Sequence, residues 1–441
     1  MKLSKKYLIA LFVIFTQFTM ATPKAPNWSK IYADQLFKLT EVMVTDVASP
    51  PVAARIYAYA TLASYLTIQS TGGKFAHQSL LDDTYFAQST WPSPERPLTS
   101  PEFAAILALQ QVGESIMPSG YLLQEKRENW IKEALKAKII SKKELQIHLD
   151  YSAMIAKSVL EIAKKDGYLQ LSTLTRYTPA TGEGYWYPTP PAYISAVEPE
   201  WKTIKPFYIQ NLSEFKPVAM APFDLSEGSS FHNQLLEVYT VTQNLTEEQK
   251  LIANFWDCNP FKVDFSGHMA IGIKKISPGG HWIGIAGIAA EQQQLSFAET
   301  AYVHAMVGMT LHDAFISCWE GKYETNRIRP ETVINQQMDQ RWRPLLQTPP
   351  FPEYTSGHSV ISRASAVVLT GYFGDNFEFV DNSEVYFGLP ERPFKSFLLA
   401  SEEAAISRLY GGIHFRDAIE NGVSQGEKIG EMIWGKVKSE N

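Results

Sequence analysis

Cysteine is nearly absent: Cys258 and Cys318 are the only two in 441 residues. A disulfide framework is therefore excluded, and only the pairing of these two stays open. There is no run of Lys or Arg, and the formal charge is −6 at pH 7. Such a chain is a poor partner for nucleic acid or an anionic membrane surface. Alternating apolar and polar residues never persist long enough for a substantial strand, and no internal repeat stands out. Long apolar runs are missing too. The best one, Tyr7 to Met20, is interrupted by Thr16, Gln17 and Thr19. It falls short of the roughly 20 residues that a membrane span needs.

That run sits behind Lys2, Lys5 and Lys6 and is closed by Ala21, the layout of a cleaved secretory signal peptide over residues 1–21. No Cys lies near the cleavage point to carry a lipid. The expectation is an exported protein, periplasmic or secreted, with no membrane span after signal removal. Removal of the three lysines takes the mature chain, residues 22–441, to −9. With 45% hydrophobic residues it can bury a large core, read here as a single all-helical domain.

What is present is mostly helical pattern. Pro101 to Val112 reads as a short amphipathic helix with Ser100 as N-cap and Pro101 in the first turn. Gln124 to Lys138 follows, then Ser141 to Lys165, where Ser141 and Glu144 are spaced as a capping box. Thr178 to Pro222 is rich in proline and aromatics, including Trp186, Tyr187, Pro188, Pro190, Pro191, Trp201 and Pro206. Proline forbids long helix there, so the segment is expected to be packed loop. Helical pattern returns at Thr246 to Trp256, with Thr246 and Gln249 as a second capping box, and is strongest at Glu291 to Trp319. It continues at Ser359 to Phe373, Ser401 to Leu409 and Asp417 to Lys436. The fold class is all-α.

Three short stretches gather unusual polar residues at predicted helix ends. The first is Lys322-Tyr-Glu-Thr-Asn-Arg327-Ile-Arg329-Pro330. Alone it reads equally as a C-capping Lys followed by surface arginines. Pro330 disfavours helical geometry at Arg329. The second is Pro352-Glu353-Tyr354-Thr355-Ser356-Gly357-His358-Ser359, ahead of an apolar helix. Thr355 or Ser356 can cap that helix, and Gly357 lets a ligand approach the backbone. A plain N-cap accounts for Thr355 or Ser356 but not for Gly357-His358; the alternative is an oxyanion cradle of free N–H groups at the positive helix end, with His358 as a proton carrier beside it. The third is Ser407-Arg408-Leu-Tyr-Gly411-Gly412-Ile-His414-Phe-Arg416-Asp417. Gly411-Gly412 ends one helix, so a guanidinium fork and an imidazole flank one turn. Of the other histidines, His268, His281, His304 and His312 form no defensible metal cluster, and His281 reads as a structural loop residue.

In order and spacing these stretches resemble the superfamily of vanadium-dependent haloperoxidases, bacterial type, and the acid and lipid (type-2 phosphatidic acid) phosphatases. That pattern is Lys, six residues, Arg-Pro; then Pro-Ser-Gly-His; then Ser-Arg, five residues, His, three residues, Asp. This chain supplies Lys322 and Arg329-Pro330, then Ser356-Gly357-His358, then Ser407-Arg408 and His414. The resemblance is sharpest over about residues 256–422, where the active site is expected, and extends to Trp186–Tyr193 and Gly279–Trp282. Two departures stand out. Thr355 replaces the Pro, and the final acid comes one place early, as Asp417 with Ala418 behind it. One residue is about 100° around a helix, which leaves open which acid orients His414.

The resemblance implies an enzyme, a peroxidase with one vanadate per chain. Lys322, Arg329, Ser356, Gly357 and Arg408 would hold the oxyanion, His414 would ligate the metal, and His358 would be the acid–base group. Trp319 and Phe351 resemble the family's halide-pocket aromatics. The substrates would be hydrogen peroxide and a halide, iodide or bromide ahead of chloride, with hypohalous acid as product and an organic acceptor left open. The alternative at the same residues is a phosphatase working through a phosphohistidine at His414. The displaced Asp417 counts against it on sequence grounds, because a nucleophilic histidine needs an orienting acid. A third possibility, an inactive oxyanion-binding scaffold, sits poorly with a complete Lys, Arg, Ser and His set.

Overall fold

A computed structural model describes residues 26–438 apart from 86, 88, 191, 267 and 268. The expected signal segment, residues 1–21, and His268 lie outside the described residues. The described chain is helical: α1 (Trp28–Thr45), α2 (Pro50–Ser70), α3 (Pro101–Ile116), α4 (Tyr121–Lys136), α5 (Lys142–Ala163), α6 (Ser230–Gln243) and α7 (Glu247–Phe255) come first. After them come α8 (Pro278–Gln292), α9 (Phe297–Thr325), α10 (Pro330–Gln337), α11 (Gly357–Phe373), α12 (Phe397–Tyr410) and α13 (Arg416–Val437). Two antiparallel ribbons are the extended structure, β1 (Val263–Ser266) with β2 (Met269–Gly272) and β3 (Phe379–Asp381) with β4 (Arg392–Phe394). No described helix is long and apolar enough to cross a membrane.

Helix α9 is the axis of the molecule. Its 29 residues span roughly 44 Å at 1.5 Å per residue. From Thr300 to Trp319 every residue is buried. Buried all round over that stretch, it packs against α1, α2, α8, α11 and α13. One hydrophobic core runs continuously from Tyr32 on α1 to Val437 on α13. α11 and α13 approach closely because Gly422, Gly426 and Gly430 line one face of α13. A Cβ on Gly426 would lie 2.2 Å from the Val360 carbonyl oxygen, and one on Gly422 2.9 Å from the Ser359 Cβ. That contact sets the start of α11 against α13, where the second motif lies.

Capping explains most boundaries. Thr246 and Gln249 form the expected reciprocal capping box, and Ser141 accepts from the Glu144 N–H. Ser100 is an N-cap by position only; its side chain makes no cap bond, and its N–H donates to His148 Nε2. The expected helix from Glu291 is corrected. Glu291 belongs to α8, and α9 starts afresh after Ser296, whose capping box with Glu299 supplies a stronger start signal. Likewise Ser396 caps α12 five residues ahead of the expected Ser401. Gly279 to Trp282 is the first turn of α8 rather than loop, capped by Ser277 with Pro278 behind it. Among the described residues between Thr178 and Pro222 there is no α-helix, as proline demands. Asp313 on α9 anchors this segment through the N–H groups of Phe207, Tyr208 and Ile209 at 2.6, 2.7 and 3.0 Å.

Candidate active site

The three motif stretches meet where the C-terminal end of α9, the N-terminus of α11 and the α12–α13 turn converge. Lys322 lies in the last turn of α9, Ser356 caps α11 by accepting from the Ser359 N–H, and Arg408 lies in the last turn of α12. The chain turns at Gly411 and Gly412, the latter at φ +75°, and places His414 just ahead of α13. Thr355 does not share the cap; its hydroxyl donates to Gln425 Oε1 on α13 at 2.8 Å.

None of the cations is a surface group. Lys322 and Arg329 are 0% exposed and Arg408 2%, which overturns the reading of a C-capping Lys with surface arginines. Lys322 Nζ donates to the carbonyls of Pro352 and Glu353 at 3.2 and 3.1 Å, and also to that of Thr355. All three ammonium hydrogens are thus engaged, and Lys322 pins the 352–355 loop to α9. Arg329 donates to the carbonyls of Phe351 (3.0 Å) and Ile413 (2.9 Å), and Nη1 lies 3.1 Å from His414 Nε2. Arg408 Nη1 lies 3.4 Å from His358 Nε2, while its buried Nη2 has no hydrogen-bond partner among the described residues. Burial beside other cations lowers the Lys322 pKa to about 8 and that of Arg329 to about 10.

The acid that orients His414 is Glu353. Its Oε1 accepts from His414 Nδ1 at 2.8 Å and from the Phe415 N–H at 2.9 Å. The other nitrogen, Nε2, accepts from Arg329 and so carries its lone pair toward the cationic cluster. Burial and the neighbouring Arg329, Lys322 and Arg408 charges hold the His414 pKa well below the ordinary imidazole value. His358 is lowered in the same direction, by burial and then by Arg408 and His414. Asp417 serves elsewhere: it accepts from Arg327 Nη1 at 2.5 Å and from the Ala221 N–H at 2.9 Å. The inference that the displaced acid disfavours a histidine nucleophile therefore fails, since an acid is supplied from another stretch. Glu353 was visible beside the second motif, but nothing local in the sequence tied it to a histidine 61 residues away.

A cavity of about 40 Å³ opens here, walled by Trp319, Phe351, Gly357, His358, Arg408 and His414 among others. Lys322, Arg329 and Ser356 sit fully buried behind those walls rather than in them. Trp319 and Phe351 pack at 5.0 Å between centroids, and the Trp319 indole N–H donates to the Val197 carbonyl of the proline-rich segment. Lys322 Nζ lies 5.2 Å from the Phe351 ring and Arg329 Cζ also 5.2 Å. At Gly357 a Cβ would stand 3.7 Å from the Trp319 ring and 4.0 Å from Lys322 Cε, so glycine keeps this space open. Cys258 and Cys318 are both buried free thiols, so the open pairing is not made.

Three buried cations converge near two carboxylates that are already engaged: Glu353 serves His414, the Phe415 N–H and, at 3.4 Å, Arg327, and Asp257 in the cavity wall pairs with Lys262 at 2.9 Å. Together with the unpartnered Arg408 Nη2 and the His414 Nε2 lone pair, this set fits a tetrahedral oxyanion that can take an imidazole ligand. The fold is thus mostly helical, and the chemistry of the site suits an oxyanion. A family model described as the VCPO second helical-bundle domain matches residues 302–440. The fold superposes on the crystal structure of the first bacterial vanadium-dependent iodoperoxidase with a TM-score of 0.86 and 40% identity, covering 94% of this chain and 98% of that one. Holo and apo forms of a bacterial vanadium-dependent chloroperoxidase share the fold at a TM-score of 0.65 and 15% identity. They cover 88% and 87% of this chain and 91% and 92% of theirs. A comparison with curated proteins returns no match. The chain belongs to the vanadium-dependent haloperoxidases and is an enzyme of the peroxidase type.

Proposed function

We propose that this chain oxidises iodide or bromide in preference to chloride, using hydrogen peroxide and one vanadate per chain, and releases hypohalous acid. The observation that carries the reading is the excess of buried cations around a carboxylate-oriented histidine. The 40% identity to an iodoperoxidase supports the halide order. When bound, vanadate supplies the Lewis acid that activates peroxide.

The chain's own residues have separable tasks. Arg408 and Arg329 neutralise the oxyanion, and Lys322 adds its charge from behind the wall rather than a free N–H. Ser356 Oγ accepts from the Ser359 N–H, which leaves its hydroxyl hydrogen to donate, alongside the Gly357 N–H at the helix end. His414 offers Nε2 as the metal ligand, with Glu353 fixing the tautomer. Neutral His358, beside Arg408, takes and returns a proton. Trp319 and Phe351 strip water from the halide.

The Glu353–His414 pair is also what a phosphohistidine phosphatase would need, so the second reading keeps one specific support. One experiment separates the two. Protein loaded with orthovanadate is assayed with hydrogen peroxide and iodide, bromide or chloride, and vanadate-free protein with a phosphate ester. The proposal expects vanadate-dependent halide oxidation, fastest with iodide. Ester turnover alone, or halide oxidation that survives without vanadate, overturns it. Export after loss of residues 1–21 is proposed as well; an N-terminus beginning near Thr22 in the extracytoplasmic fraction is the expected result.

A further inference from the structure

A second cluster lies beyond the oxyanion cradle, and its charge logic is reversed. Cys258 follows α7, His281 lies in the first turn of α8, Asp381 ends β3, and Glu384 comes from the segment between β3 and β4. All four are buried. His281 Nε2 lies 2.7 Å from Asp381 Oδ2, and Asp381 Oδ1 is satisfied by the Ser383 N–H and hydroxyl at 3.0 and 2.7 Å. The Trp256 ring stacks on the imidazole at 4.4 Å between centroids and 20° between planes, with Phe255 edge-on at 5.4 Å. Ring plane and orientation are therefore fixed from three sides.

Nδ1 lies 3.4 Å from Cys258 Sγ and 3.3 Å from Glu384 Oε1, and in the neutral ring that donates Nε2–H to Asp381 it would turn its lone pair to both. The three atoms lie within 4.8 Å of one another. Ligands about 2.0–2.3 Å from a tetrahedral ion stand about 3.3–3.6 Å apart, so both Nδ1 separations fit a shared ion. Glu384 is 1% exposed, and among the described residues its Oε1 makes no hydrogen bond and meets only His281 Nδ1, an ion pair if the ring is protonated. A buried carboxylate oxygen is costly to leave unmatched. A carboxylate holding the far nitrogen of a histidine is also the usual support for a metal-bound imidazole.

We propose that Cys258, His281 and Glu384 form a binding site for a divalent transition-metal ion of the zinc class, with Asp381 as the positioning residue for His281. The site is distinct from the oxyanion cradle: its donors are sulfur, imidazole and carboxylate, which suit a cation, not vanadate. Three side chains leave the fourth position to a water or to the second Glu384 oxygen. On binding, the Cys258 S–H bond breaks, its proton leaves to solvent, and the thiolate forms the sulfur–metal bond with no redox change. The ion would brace the 257–259 loop, whose residues Asp257, Cys258 and Asn259 also wall the cavity holding His358 and Arg408.

The test uses the full-length protein purified from zinc-supplemented medium and exhaustively dialysed, with metal content measured by mass spectrometry. About one zinc per chain is expected, falling at least about tenfold in Cys258→Ser and Glu384→Gln. Because a variant can fail to fold, the wild-type protein is also loaded with cobalt(II). A thiolate-to-cobalt charge-transfer band and tetrahedral ligand-field bands should appear and be displaced by zinc. Wild-type protein carrying no metal and giving no cobalt spectrum overturns the proposal. So does metal retained equally in folded Cys258→Ser, and an imidazolium clasped by Asp381 would then remain as the cluster's content.

Discussion

Arg55, on α2, and Arg408, at the end of α12, are equally hidden from solvent, 4% and 2% exposed, yet stand in opposite settings. Arg55 is satisfied from within. Nε donates to Asp166 at 2.6 Å and Nη2 to the Ala163 carbonyl at 2.9 Å, between the Tyr59 and Tyr168 rings. Asp166 is in turn completed by the Tyr59 hydroxyl and the Tyr168 N–H. Arg408 has a serine hydroxyl, a histidine and an orphan nitrogen. The first charge closes a structure; the second waits for an anion. Burial alone does not mark function, whereas burial without a counter-charge does.

Substitutions can break that contrast. The largest stability loss is expected from Arg55→Met, which strands Asp166 in the core and should cost about 3–5 kcal/mol of unfolding free energy. Its activity per folded molecule should stay unchanged; denaturant titration with active-site counting checks both. Arg408→Met should do the reverse. Turnover falls by about 10²–10³-fold, while stability without vanadate is unchanged or higher, because an unmatched charge leaves the interior. Glu353→Gln should weaken vanadate binding by about 10–100-fold, measured by equilibrium dialysis. The same effect from Asp417→Asn would mean that the orienting acid is misassigned.

A smaller effect follows from Lys322. Its pKa is depressed to about 8, so the anion-free site is fully charged below pH 8 and loses this cation above it. Binding an oxyanion raises that pKa, so affinity should fall above pH 8 by at most about tenfold per unit. Lys322→Met, weaker throughout, should show a shallower decline over the same range. Parallel pH profiles would remove Lys322 from the site's electrostatics.

The helical class, most of the helices from α3 onward and the three stretches that converge at the site were legible because they rest on local rules. Capping pairs such as Thr246 with Gln249, proline at helix starts, and fixed motif spacings all act within a few residues. What escaped depended on distant packing. The start of α9 is the exception, since the Ser296–Glu299 box that sets it is itself a local signal. Glu353 reaches His414 only because the 352–355 loop folds over Lys322. Arg327 and Asp417 found each other across 90 residues, which removed the motif acid from its expected task. His281 was set aside because Cys258, Asp381 and Glu384 are nowhere near it in sequence.

The central claim, that the cations at Lys322, Arg329 and Arg408 are assembled for an oxyanion, is tested most directly by thermal unfolding with increasing orthovanadate. The account predicts that the wild-type midpoint climbs with the logarithm of vanadate concentration, as for a ligand held only by the folded state. Folded Arg408→Met should show little or no climb. A flat wild-type midpoint, or an equal climb in both proteins, would contradict it.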